Sequence, residues 1–476
     1  MTQLYVPLID YPSGQPLVPP LAEEAVGARL IAAFGRNADR LRRAERSGVA
    51  TLTFRGEATR AIEDRGDPRV AGWTLVMRRD DPRRQELLRA LRPLAEHRGM
   101  ADPEKPLLLG DEEANDWNYW LESTFSPLAG TRRPFYFLLV GGPERLSFKF
   151  QSFLDMAAAV GRLDFDSVDD YAAYAAKVVR LETAAAPATK REALFFATDL
   201  GPRDPTYYSK RYMVDPLAAH ARGKQGLEVR MLAGSQATKH ALLSSLASAR
   251  PAVIYSASHG FAAANQPEDV RRRINGSIVC QRTGSERNVD EYAFGAGDVP
   301  DREPFLEGAI FFEFACYGYG TPAESEFAHW LPELDRRNSE SDFVAALPKR
   351  LLAHPRGPVG FVGHLDVALL NGFTDEEAPD IKEAWHPRLD PFASALDSLL
   401  RLQPVGLAME RMNFRFGDLS VRLSDDYDRL SRRKVTDTPE FRTRLARTFV
   451  QRGDAQNYMI LGDPAVRVRL PAGRNG

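Results

Sequence analysis

A chain of 476 residues has room for two or three domains and a sizeable buried core. With 43% apolar and 27% charged residues and a formal net charge of -2, it has a globular composition and lacks the electropositive footprint of a nucleic-acid binder. Two cysteines, Cys280 and Cys316, exclude a disulfide framework, and no apolar run approaches a membrane span. The basic clusters Arg271-Arg272-Arg273 and Arg432-Arg433-Lys434 are balanced by acids elsewhere and read as solvated faces. Met1-Thr-Gln-Leu-Tyr-Val-Pro has neither the basic nor the apolar region of a secretory signal, so the cytoplasm is the expected compartment.

In chain order, residues 1–130 carry the weakest signals. Helical patches over Ala22–Arg43 and Pro82–His97 alternate with strand candidates at Ala50–Phe54 and Trp73–Met77. Phe135-Tyr-Phe-Leu-Leu-Val-Gly141-Gly142-Pro143 is a buried strand closed by a turn. Ala159–Leu163 predicts another strand. Ser167 then caps a helix whose Val168, Tyr171, Ala175 and Val178 recur at helical spacing. Thr183–Ala188 reads as a linker and sets the expected boundary, with one α/β unit over 1–188 and a second over 189–476.

The second unit predicts strands at Leu194–Thr198, Leu227–Met231, Ala252–Ser256, Ala309–Ala315 and Val359–Gly363. Helices at Tyr212–Arg222, Lys239–Ala247 and Phe343–Ala353 separate most of them. Such alternation implies a mostly parallel, doubly wound sheet flanked by helices. Pro391–Arg429 and Pro439–Arg452 read as helical, and Ala465–Leu470, with Val466, Val468 and Leu470 alternating with Arg467 and Arg469, reads as a half-exposed strand.

Two strand ends carry the chemistry. Val253-Ile-Tyr-Ser-Ala-Ser-His259-Gly260 and Ala309-Ile-Phe-Phe-Glu-Phe-Ala-Cys316-Tyr-Gly318 each run from an apolar strand to a reactive side chain beside glycine. Ligands of open α/β sheets sit beyond the carboxyl ends of the strands, so adjacent strands would bring imidazole and thiol over one crevice. Amide cleavage through a thiol needs a nucleophile, a base that also protonates the leaving amine, and donors for the oxyanion. Cys316 fits the first role and His259 the second, and the amides of Gly260 and Cys316 are the candidate donors. Taken alone, a strand-end cysteine is more commonly a small buried hydrophobe, as Cys280 is expected to be. His364 also ends a strand and competes with His259. The histidines show no metal-ligand spacing, so neither metal nor other cofactor is expected.

Taken together, His259-Gly260 followed by Ala315-Cys316 resembles the His-then-Cys order of the caspase-like (clan CD) peptidases. Glu313-Phe-Ala-Cys316-Tyr-Gly318 and the closing Leu461-Gly462-Asp463-Pro464 are similar to segments of the gingipain-type branch. The resemblance implies a caspase-like catalytic domain over 189–476 preceded by a degenerate α/β subdomain. It implies Cys316 as nucleophile, His259 as general acid–base and Asp199 as the group orienting His259, with protein substrates. An arginine or lysine preference would need an acid in the substrate pocket, for which Asp204 and Asp366 are the candidates. The polar stretch Leu334-Asp-Arg336-Arg337-Asn-Ser-Glu-Ser341 is the expected processing site, cut at Arg336 or Arg337 by an activating protease or under a regulator, in a bacterial defence or cell-death response.

The alternatives are an inactive caspase-like interaction module and a nucleotide-binding α/β regulator. The second rests only on Gly141-Gly142-Pro143, without a full phosphate-binding motif.

Overall fold

The computed structural model describes residues 3–11, 13–34, 64–128, 133–224, 226–263, 265–328, 330–331, 334, 337–370 and 389–471. Apolar runs without alternation suit strands covered on both faces, and they become the sheet. In chain order the strands used below are β1 (Leu8–Asp10), β2 (Trp73–Arg78), β3 (Leu107–Leu109), β4 (Tyr136–Val140), β5 (Ala159–Leu163) and β6 (Glu192–Ala197). They continue with β7 (Glu228–Ala233), β8 (Val253–Ala257), β9 (Gly260–Ala262), β10 (Ile310–Phe314), β11 (Gly360–His364) and β12 (Tyr458–Gly462).

Ten of these form one sheet in the order β3-β2-β4-β5-β12-β11-β10-β8-β6-β7. Neighbours are parallel throughout except β11 and β12, which run antiparallel with Phe361 opposite Leu461 and Val362 opposite Ile460. The sheet is therefore two blocks of opposite direction, with strand carboxyl ends on opposite edges. The chain passes from one block to the other after residue 183. Two segments cross back: β12 joins the first block, and β1 pairs with β9 on the second.

The helices used below are α1 (Arg84–His97), α2 (Val168–Thr183), α3 (Pro205–Ser209), α4 (Asp215–Arg222), α5 (Lys239–Ser248), α6 (Ala346–Ala353), α7 (Asp390–Leu400), α8 (Glu410–Ser431) and α9 (Pro439–Gln456). Several of their starts are capped by side chains. Ser167, Thr238 and Thr438 accept the amides of Asp170, Ala241 and Phe441 at the starts of α2, α5 and α9. Among the described residues no helix is long and apolar enough to cross a membrane. Aromatic stacking fills the core beneath the second block: Tyr255 lies on Phe312 at 4.4 Å, and Phe312 and Phe392 both pack on Tyr458.

The Gly462-Asp463-Pro464 turn ends β12. Gly462 sits at φ 110, and a Cβ there would lie 2.9 Å from both Val359 O and the Tyr174 hydroxyl, so only glycine fits. The fully buried Asp463 carboxylate accepts Trp73 Nε1 at 2.9 Å and Arg98 Nε at 2.6 Å, while the other Arg98 nitrogens donate to Glu182. Each buried charge is thus paired, as burial requires.

Several sequence expectations shift. Ala465–Leu470 is not a strand. Pro464 ends the ladder, Val466 O accepts Val405 N, and Arg467 and Arg469 donate to the carbonyls of Gly66, of Leu181 in the last turn of α2 and of Ala184 just after it. The helix expected from Phe343 starts at Ala346, because Phe343–Val344 pairs with Gly320–Thr321. The Pro391–Arg429 stretch splits at Pro404 into α7, a short turn of helix and α8. The amino-terminal helical patch is helical over 23–34, and Ala50–Phe54 lies outside the described residues.

Candidate active site

β8 and β10 are adjacent and parallel, with Ala257 opposite Phe314, and Ser258 N continues the ladder to Phe314 O at 3.1 Å. His259 and Cys316 therefore leave the sheet side by side at one edge. Gly260 lies directly on the Cys316 segment: a Cβ there would stand 2.0 Å from Cys316 O and 2.8 Å from Cys316 N. That close approach is the physical reason for glycine after His259. Beyond Cys316 the backbone is strained. Tyr317 and Asp366 are held at φ 62 and 59, and Tyr317 N donates to Asp366 O at 2.8 Å. Each such conformation costs on the order of 1–3 kcal/mol, and here it bends the chain sharply after the thiol.

His259 is fully buried, and its Nε2 contacts both oxygens of Asp204 at 2.9 and 3.0 Å. Asp204 accepts there, so Nε2 carries the proton and Nδ1 is left as the basic nitrogen. Nδ1 is buried with no hydrogen-bond partner. Burial alone would raise the Asp204 carboxyl. The bond and charge of His259, with the hydroxyl and amide of Thr206, outweigh burial and hold it below its ordinary value. Asp204 also caps α3, so one carboxylate fixes both the helix start and the imidazole.

Asp199, the carboxylate expected to orient His259, is engaged elsewhere. It accepts Gly201 N at 3.1 Å while its own N–H donates to Gln281 Oε1. The sequence places both acids after β6. It does not show that the Gly201-Pro202 turn carries the chain back so that Asp204, five residues on, reaches the histidine.

Cys316 is fully buried. Its Sγ accepts Ala368 N at 3.4 Å and faces Ala368 O at 3.9 Å, on the side of β11, whereas Asp204 lies on the side of β6. Burial pushes the thiol far up. The amides of Ala368, Cys316 and Gly260 pull it down only in part, and Asp366 adds to the rise. In this state sulfur and imidazole are neighbours along the sheet edge without a hydrogen bond between them. The second oxyanion candidate, Gly260 N, donates to Pro7 O at 3.0 Å.

Asp366 is buried. Its Oδ2 accepts Ser325 Oγ and Glu326 N, each at 2.9 Å, and its Oδ1 has no partner. Burial, partly offset by those donors, raises it to about 7. It lines a cavity of about 290 Å³ with Glu324, Glu326, Asp342 and Lys149. Arg337 is exposed and donates to Glu340 O, while Arg336 lies outside the described residues. His364 is sealed in the core against Asp454 and Tyr458. Cys280 is buried and its thiol is pushed up by burial. Among the described residues no cluster of three His, Cys, Asp or Glu side chains is arranged to hold a metal ion.

No protein-family model matches the chain, and no curated protein matches it. Among solved structures it is similar to the Arg-specific cysteine proteinase gingipain R, with TM-score 0.47 and 12% identity over 86% of this chain and 80% of that one. It is also similar to the complex of Porphyromonas gingivalis RgpB pro- and mature domains, with TM-score 0.45 and 11% identity over 83% and 80%. A third similar structure, described as that of a protease, gives TM-score 0.46 and 10% identity over 86% and 80%.

Proposed function

We propose that this chain is a caspase-like cysteine endopeptidase with Cys316 as nucleophile, His259 as general acid–base and Asp204 as the group that positions His259. The observation that carries this reading is the buried His259–Asp204 pair, its free Nδ1 at the same sheet edge as Cys316, with the Gly260 backbone packed against that of Cys316. In the reaction the Cys316 proton passes to His259 Nδ1 as Sγ bonds to the scissile carbonyl carbon. The two amides hold the oxyanion. The C–N bond then breaks as Nδ1 returns the proton to the leaving amine, giving a thioester. Water adds to the thioester carbon, giving one proton to Nδ1, and the acid is released as Sγ is reprotonated. Asp204 stays ionised throughout and stabilises the imidazolium.

For this to run, the thiol must turn away from Ala368. The acidic cavity at Asp366 suits a basic side chain of the substrate, so cleavage after Arg or Lys is part of the proposal. So are maturation at Arg336 or Arg337 and a role in bacterial defence or cell death. The test is peptide-library cleavage by the wild type beside Cys316→Ala. Cleavage that persists in Cys316→Ala sinks the assignment.

The sealed, protonated thiol favours a second reading, an inactive module of the same fold that binds a partner. An electrophilic peptide probe separates the two. The peptidase labels at Cys316 much faster than at Cys280, and the inactive module labels both slowly.

A further inference from the structure

We propose that the edge of β9 is the strand on which this site binds an extended peptide main chain, and that Tyr5–Asp10 occupies that edge in cis and keeps the site closed. The proposal rests on the peptidase reading of His259 and Cys316.

The amino-terminal segment crosses the loops that border the crevice. Tyr5 packs its ring on Tyr208 of α3 at 4.9 Å, and Tyr5 O faces Leu370 N, beyond β11, at 3.5 Å. Between those two anchors the segment enters the site. Pro7 O takes the Gly260 amide at 3.0 Å, the donor that the mechanism assigns to the oxyanion. Leu8, Ile9 and Asp10 then run parallel to Gly260, Phe261 and Ala262, and Tyr11 N closes on Ala262 O at 3.2 Å. Val6, Leu8 and Ile9 are 2%, 0% and 4% exposed, so the segment is held by buried apolar side chains as well as main-chain bonds.

This is strand addition, in which backbone bonds give affinity and alternate side chains give selectivity. A carbonyl seated on an oxyanion donor, followed by an extended chain, has the form of a substrate. Pro7 stands for the acyl residue and Leu8–Asp10 for the leaving-group side. The ligand class that follows is an unfolded or loop segment with apolar residues at the positions of Val6 and Leu8. A cis competitor acts at an effective concentration of millimolar order. Dilute substrate therefore does not displace it until something else draws the segment out.

The test uses the full-length chain with Tyr5→Ala and Leu8→Ala. Site-resolved mass spectrometry follows iodoacetamide alkylation of Cys316 and Cys280 and hydrogen exchange over Gly260–Ala262. The expected result is faster exchange at Gly260–Ala262 in both variants. Cys316 alkylation is expected to rise severalfold for Tyr5→Ala and on the order of tenfold or more for Leu8→Ala, with Cys280 unchanged. A synthetic peptide carrying the sequence of residues 3–11 should slow Cys316 again. The proposal is overturned if exchange rises while Cys316 alkylation does not, or if Cys280 rises in step with Cys316. Leu8 is fully buried; if that variant does not fold, Tyr5→Ala at its partly exposed position decides alone. Peptide hydrolysis is read separately: a chain that opens on release yet cuts nothing keeps the strap and removes the peptidase.

Discussion

Glu313 is the fourth residue of β10, three positions before Cys316, and is 1% exposed with both carboxyl oxygens unpartnered. Gly318, just past Cys316, lies over it: a Cβ there would stand 3.1 Å from the Glu313 carboxyl carbon. Burial pushes this carboxyl from 4.5 up to about 8. Between those values the native state keeps a proton that the unfolded chain has released, so Glu313 makes stability fall as pH rises through that window. At pH 7 the unfolded side chain is about 2.5 units past its midpoint. At about 1.36 kcal/mol per unit, keeping Glu313 protonated costs about 3 kcal/mol. Glu313→Gln removes the titration and keeps the shape. Urea unfolding followed by tryptophan fluorescence should give matching stabilities near pH 4. By pH 7 the variant should be more stable by about 3 kcal/mol. Asp366 titrates over an overlapping range in both proteins and cancels in the difference. Parallel stability curves from pH 4 to 8, or a less stable variant at pH 7, would refute the reasoning and mean that Glu313 is ionised against a cation.

Three further outcomes bear on the site. Asp204→Asn should lower peptidase kcat by on the order of 10²–10⁴-fold with little change in KM, because the wrong imidazole tautomer is favoured. Asp199→Asn, whose carboxylate serves only a local turn, should stay within about threefold, and steady-state kinetics on a cleaved peptide decide between the two acids. Gly260→Ala would drive a methyl into Cys316 O, so it should cost about 3 kcal/mol or more and abolish probe labelling at Cys316. A variant that melts and labels like wild type would show that the two backbones do not lie in contact.

The parts of this fold legible in the sequence were those set by local pattern. Largely apolar runs at 253–257 and 310–314, interrupted by Ser256 and Glu313, gave buried strands, and the glycines and reactive side chains that follow marked their ends. The acid on His259 was not legible. Asp199 and Asp204 are both reasonable after β6, and their roles are fixed by how the Gly201-Pro202 turn folds back. The 465–470 stretch misled for the opposite reason: its alternation is real, with Val466 and Val468 buried, but its carbonyls bond Val405 N at the start of a short helix and the Thr189 hydroxyl, not a neighbouring strand. The amino-terminal segment offered almost no periodic signal. Its partner is a three-residue strand some 250 residues away, a pairing that only tertiary structure specifies.

The antiparallel seam between β11 and β12 has a consequence for synthesis. Among the strands described here β12 comes last in chain order, yet it lies at the middle of the sheet. Until residues 458–462 emerge, β5 and β11 each present a bare, apolar rim, the kind of surface that sticks to other nascent chains. The two half-sheets are joined only once β12 has been made. This chain is therefore expected to depend on chaperone shielding until β12 emerges.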